Sequence, residues 1–199
     1  MEKDKFFNPD YKPDENTRNE IENLHKEDIS LSGVQLQFAD MKNANLTNAD
    51  LSNSDLTRAN FSGASMYGVN LEGANLFKTN LEGANLKAAN MKNCNMLGAD
   101  FSNTKLNNID WDENYKVINE REAEEALSSG DVDTAKEKYR ESEDIYRALK
   151  ITLQKQTLGE ETGEMFLREM IAKRKQLPLF SPLRLVQSLP ILLLDTVKK

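Results

Sequence analysis

A large apolar residue recurs at every fifth position from Leu31 to Trp111 without a break, through Leu36, Met41, Leu46, Leu51, Leu56, Phe61, Met66, Leu71, Leu76, Leu81, Leu86, Met91, Met96, Phe101 and Leu106. Two positions before each, from Val34 onward, stands a small or β-branched residue, as at Ala39, Ala44, Ser54, Ala59, Thr79, Cys94 and Ile109. A period of five fits neither the 3.6 of a helix nor the 2.0 of a flat strand, so each repeat must turn the chain by a fixed angle, and four right-angle turns close a coil in about 20 residues. Inside so narrow a tube only a small side chain fits beside each large one, because packing there is dense; both sets are predicted to face inward. The position between them is mostly Asn or Asp, residues that stabilise turns by hydrogen bonding to nearby backbone.

The spelling Ala-Asn-Leu-x-x at residues 44–48, 74–78 and 84–88 resembles the pentapeptide repeat family. The resemblance implies a mainly β fold for residues 31–111, a right-handed quadrilateral β-helix of about four coils. Cys94 falls on one of the inward small positions and is read as a buried stand-in for Ala.

The residue two after each large centre is Gly or Asn in most repeats, which suits a turn with positive φ. Phe38, Arg58 and Lys78 depart from this at intervals of 20 residues, so they stack on one corner, which is predicted to turn differently; Ala88 is the other departure. Phe77 and Leu97, one position ahead of that column, fall on the same side of the solenoid. Phe38, Arg58, Phe77, Lys78 and Leu97 therefore form the candidate interaction face, to be covered either by the C-terminal helices of the same chain or by a partner.

Stacked coils expose core and unpaired backbone at both ends, so both ends need lids. At the start, residues 13–16 (Pro-Asp-Glu-Asn) followed by Ile21 and Leu24 predict a short capping helix ending near Lys26; at the far end Trp111, the largest centre, is placed to plug the tube. His25, the only histidine, lies in that helix and is expected to be a solvated surface residue.

Four segments follow: 1–30, an N-terminal stretch with the cap helix; 31–111, the repeats; 112–176, a helical hairpin and a third helix; and 177–199, an apolar tail containing prolines. Helices are predicted from Val117 to Ser128, from the Gly130-Asp131 turn to about Leu158, and from Thr162 to Gln176 after a break at Gly159, the last with Met165, Phe166, Met170 and Ile171 on its apolar side. The pattern Ala126-Leu127, Gly130-Asp131, Ala135, Tyr139 looks like a tetratricopeptide helical hairpin, whose single copy implies a cap or a dimer contact. Residues 146–150 (Tyr-Arg-Ala-Leu-Lys), 166–170 and 173–175 are similar to the linker of pentapeptide repeat proteins that carry a potassium-channel-like pore segment. The closing run 189–194 is far shorter than the roughly 20 apolar residues that span a bilayer. Its candidate contacts, Leu183, Leu189, Leu192 and Leu193, are expected to pack on the helices or on a second copy; membrane association through residues after Leu177 stays open.

Composition narrows the function. One cysteine permits no intramolecular disulfide and fits a reducing compartment, and the first residues lack the apolar run of a signal peptide, so a cytoplasmic location, with or without membrane association, is expected. A net charge of -7 argues against direct nucleic-acid binding. With one His and one Cys there is no zinc spacing, no phosphate loop occurs, and residues 131–133 (Asp-Val-Asp) lack the rest of a calcium loop, so neither metal, cofactor nor catalysis is expected. The reading is a non-enzymatic protein-interaction scaffold that binds a protein partner or forms a homodimer. The alternative is the cytosolic module, or truncated remnant, of a channel-like membrane protein. A DNA-mimic inhibitor of gyrase, an activity the family resemblance brings with it, falls behind because residues 31–111 carry seven acidic and six basic side chains, a net of -1, where a duplex mimic needs a dense negative face.

Overall fold

The computed structural model describes residues 3–156 and 159–178, and the chain divides into two compact units after Asn114. The predicted tail contacts Leu183, Leu189, Leu192 and Leu193 lie outside the described residues.

In the first unit, parallel bridges pair Gln35 with Asp55, Asp40 with Asn60, Asn45 with Ser65, and so on to Asn90 with Asp110. Each pair is 20 residues apart, so one coil has four sides of five residues. Leu36 N–H donates to the Asp55 carbonyl at 2.8 Å and Asp55 N–H to the Val34 carbonyl at 3.0 Å, a pattern repeated coil after coil. Every bridge is isolated, and no extended strand occurs among the described residues. The expectation of a mainly β chain is corrected to that extent: two of each five residues make the turn, leaving too little straight backbone on a side for a strand, while all the longer elements are helical.

The large centres from Leu31 to Leu106 and the small residues from Val34 to Thr104 are all buried. The polar members of the small set are satisfied by the coil behind them. Ser54, Thr79 and Thr104 donate through their hydroxyls to the carbonyls of Leu31, Leu56 and Leu81 at 3.2, 2.7 and 2.7 Å, and the Cys94 thiol donates to the Leu71 carbonyl at 2.9 Å. Trp111 and Ile109 are only half-buried, so Trp111 is not the sealed plug that its size led us to expect. No further coil follows in the sequence to cover them.

The corner of Phe38, Arg58 and Lys78 does not turn differently. Their φ values of 63°, 57° and 55°, and 58° at Ala88, match the 56–59° of Asn43, Asn48, Asn53 and Asn93. Inward packing and the backbone ladder dictate the conformation, and the side chain adopts it despite an intrinsic cost of roughly 1–2 kcal/mol for an L-residue.

A 3-10 turn, Lys3–Phe7, and helix α1, Thr17–Lys26, close the first coil. Phe6, Ile21 and Leu24 are buried, and the first coil's outward-facing backbone is met by one helix face spaced i, i+4, i+7. Arg18 donates to the Lys42 carbonyl at 3.0 Å, Glu22 accepts from Asn45 N–H at 2.6 Å, and His25 Nε2 donates to the Thr47 carbonyl at 2.9 Å. Gln35 N–H reaches the Phe6 carbonyl at 2.7 Å. His25 is therefore a capping donor and not the solvated residue expected, because its ring lies where a preceding coil would otherwise supply an amide.

The second unit holds α2 (Ile118–Ser128), α3 (Val132–Lys155) and α4 (Gly159–Lys175), with α3 packed against both neighbours. Gly130, at φ 86°, makes the turn after α2, and Asp131 caps α3 by accepting from Thr134 N–H at 3.0 Å; the Thr134 hydroxyl, then this N–H, hold its carboxyl below the ordinary range. Helix α4 begins at Gly159, where a break was expected; Glu160 and Glu161 in its first turn favour the positive end of the helix. Its buried residues are Met165, Leu167 and Ala172, whereas Phe166, expected inside, is 41% exposed beneath the Lys150 ammonium, 5.5 Å from its ring centre.

Candidate functional site

The predicted face is assembled by the ladder. Phe38 N–H donates to the Thr57 carbonyl, Arg58 N–H to Phe77 and Lys78 N–H to Leu97, each at 2.9 Å, so these residues share one side across successive coils. Phe38 is 67% exposed, the most exposed large apolar residue of the unit, with the Arg58 guanidinium 5.7 Å from its ring centre. Phe77 and Leu97 are half-buried. The Lys78 ammonium sits 5.0 Å from the Phe77 ring centre, and its Cγ is 3.1 Å from where a side chain on Gly98 would begin. The side is thus a row of aromatic and aliphatic surface, each aromatic partnered by a cation from the corner column.

A groove of about 720 Å³ opens beside Phe38, lined by it, Gln37 and residues 9–13 of the N-terminal stretch. Sequence reasoning missed this, because the N-terminal stretch has no periodicity to place it. It also missed Tyr67, 47% exposed, whose position one after the centre Met66 puts it on another side.

The Asn and Asp ladder is structural. Asp40, Asn45, Asp50, Asp55 and Asn60 each accept from the backbone N–H two residues ahead, and the side-chain amides of Asn70 and Asn90 donate to Asp50 Oδ1 and Asn70 Oδ1 of the preceding coil at 3.0 and 3.1 Å. At Asp50 burial opposes ionisation, but donors on Ser52, Ser30 and Asn70 outweigh it and hold the carboxyl below its usual range. Burial pushes the Cys94 thiol up to about 12, which leaves no thiolate for chemistry. Among the described residues no cluster of three or more His, Cys, Asp or Glu can hold a metal, and no helix is long and apolar enough to cross a membrane.

The residues of the channel-like linker resemblance are engaged within the helical unit. Tyr146 donates to Glu120 at 2.5 Å, and Arg168 reaches the other oxygen of the same carboxylate at 3.2 Å. Arg147 pairs with Glu143, with Asp144 at 2.8 Å and with Glu169 at 3.3 Å, while Lys150 meets Glu169 at 2.5 Å. Burial, then the neighbouring Glu120 charge, pushes the Tyr146 phenol far above its ordinary range.

A 20-residue coil of four five-residue sides, filled by one large and one small residue per side, defines a repeat solenoid. Residues 29–68 and 70–108 match the family described as pentapeptide repeats, in eight copies, and this part of the chain is a pentapeptide-repeat domain. Among solved structures, the chain is similar to a pentapeptide repeat protein from Nostoc PCC 7120, with 28% identity over 45% of this chain and 73% of that one and a TM-score of 0.40. It is also similar to HetL, a pentapeptide repeat protein involved in heterocyst differentiation regulation in the cyanobacterium Nostoc sp. strain PCC 7120, with 36% identity, 41% and 35% coverage and a TM-score of 0.32. A pentapeptide repeat protein from the cyanobacterium Cyanothece 51142 follows, with 33% identity, 43% and 65% coverage and a TM-score of 0.31. The chain thus spans less than two thirds of the length of the latter two. No curated protein matches it.

Proposed function

We propose that the chain is a non-enzymatic protein-interaction scaffold acting in the cytoplasm, its solenoid winding as a right-handed quadrilateral β-helix. The observation that carries this reading is the side bearing Phe38, Arg58, Phe77, Lys78 and Leu97. Outward positions of the repeat are elsewhere mostly polar, and a side with Phe38 exposed and Phe77 and Leu97 half-buried, each aromatic beside a cation, gives an apolar contact with a polar rim. Phe38 adds to this: an aromatic side chain in the left-handed region contributes nothing to the turn that Asn or Gly would not do better. The single buried cysteine fits a reducing compartment.

Charging Phe77 and Leu97 together to Glu tests the reading. The native chain and the double variant are compared by circular dichroism, by light scattering and by mass spectrometry of the proteins each retains when immobilised. A folded variant that loses either its oligomeric mass or a protein retained by the native chain supports the face; a variant unchanged in all three overturns it.

A further inference from the structure

The helical unit carries a second apolar depression, of about 430 Å³, whose floor is formed by Leu127, Val132, Ala135 and Tyr139. Leu127 and Val132 are 46% and 49% exposed there, at the junction of α2 and α3. Two cations line it: Lys136, and Lys175, whose ammonium lies 5.9 Å from the Tyr139 ring centre. Leu177 and Pro178, where the described chain leaves α4, form part of its wall.

We propose that this groove is the docking site for residues 189–195 of the same chain, the run Leu-Pro-Ile-Leu-Leu-Leu-Asp. Three observations carry the assignment. The groove is lined by aliphatic and aromatic side chains with two lysines among them, and this run is five aliphatic residues and a proline followed directly by Asp195, a carboxylate placed to meet Lys136 or Lys175. The geometry permits it: Pro178 already borders the groove, and the ten residues between it and Leu189 reach up to about 35 Å when extended, ample for the chain to fold back. The run is also too short to cross a bilayer, for which about 20 apolar residues are needed, yet too apolar to leave in water when a matching surface is adjacent. Residues 189–195 thereby complete the apolar face that α2 and α3 leave open. The inference is independent of the solenoid face, and either can fail without the other.

A disulfide trap tests it in the full chain. Val132→Cys is combined with Leu192→Cys in a Cys94→Ala background, because Cys94, enclosed in the folded chain, would be a third free thiol in the urea-unfolded reference. Under mild oxidation the pair is expected to close within single molecules at least about tenfold faster than in the urea-unfolded chain, because docking raises the local concentration of one thiol about the other. Lys136→Glu with Lys175→Glu should slow closure about threefold or more, and Asp195→Lys should restore it in that background, while circular dichroism reports that each variant folds. Closure no faster than in urea overturns the proposal. Closure only between molecules overturns it in favour of a second copy as occupant, and loss of closure on adding phosphatidylcholine vesicles, with the protein sedimenting alongside them, overturns it in favour of a lipid surface.

Discussion

His25 Nε2 lies 2.9 Å from the carbonyl oxygen of Thr47, 22 positions further along the chain, and because a carbonyl can only accept, the ring proton sits on that nitrogen. With Arg18 on Lys42 and Glu22 on Asn45, it replaces the coil that the first turn of the solenoid does not have. A helix with Ile21 and Leu24 buried beneath these contacts covers both the core and the backbone of the open end.

Removing single cap contacts should therefore weaken the first unit modestly. His25→Ala is expected to cost about 1 kcal/mol, the usual net worth of one hydrogen bond, read as a shift of the urea midpoint. Ile21→Asp with Leu24→Asp should expose the end altogether and produce concentration-dependent oligomers by light scattering; a monomer of unchanged stability would show that the cap is dispensable.

Ala88 holds φ 58° where most repeats have Asn or Gly. Ala88→Asn should raise stability by about 0.5–1 kcal/mol, since Asn tolerates this conformation better and the position is exposed. Gly68→Ala should act in the opposite sense, because its new Cβ would lie 2.2 Å from Asn48 Oδ1 at a φ of 66°. Thermal melts of the two variants side by side check both signs.

Cys94 gives a test against pH. The unfolded thiol loses its proton near 9.0 and the folded one only at about 12, so between these values the unfolded state binds fewer protons and stability falls as pH rises. Cys94→Ala, which keeps a small inward side chain, should lose less stability between pH 8 and pH 11 than the native chain does. The native thiol should also stay unreactive toward a disulfide reagent at pH 8 until the chain is unfolded.

In the helical unit Glu120 is 1% exposed and held by Tyr146 and Arg168. Arg168→Met strands a buried carboxylate and is expected to destabilise that unit by about 3 kcal/mol or more, while Tyr146→Phe removes bonds to both Glu120 and Val117 N–H. Hydrogen exchange should show faster exchange in α2 to α4 for either variant, with the solenoid amides unchanged.

The repeat was legible because its physics is local and periodic. Leu31 to Leu106 appear inside the tube as the spacing requires, and the corner residues share a conformation that Asn and Gly announce in most repeats. Where periodicity stops, the reading loosened. The Lys3–Phe7 turn was not anticipated from an isolated Phe6-Phe7 pair, Phe166 was placed on the apolar side of its helix but is exposed with the Lys150 ammonium over its ring, and the Phe38 corner was given a special turn on residue type alone. Of the candidate face, the column and its side followed from counting by 20; the pairing of Arg58 with Phe38 and of Lys78 with Phe77, and the groove beside them, did not.

By itself the sequence determined the coil, because a five-residue period with one large and one small inward side chain admits one regular way to fill a narrow tube. Tertiary structure decided what each end and each outward side does. Whether a histidine is solvated or caps a carbonyl, whether a tryptophan is sealed or half-open, and whether a phenylalanine is covered or presented depend on which atoms arrive from residues far along the chain, and no local period encodes that.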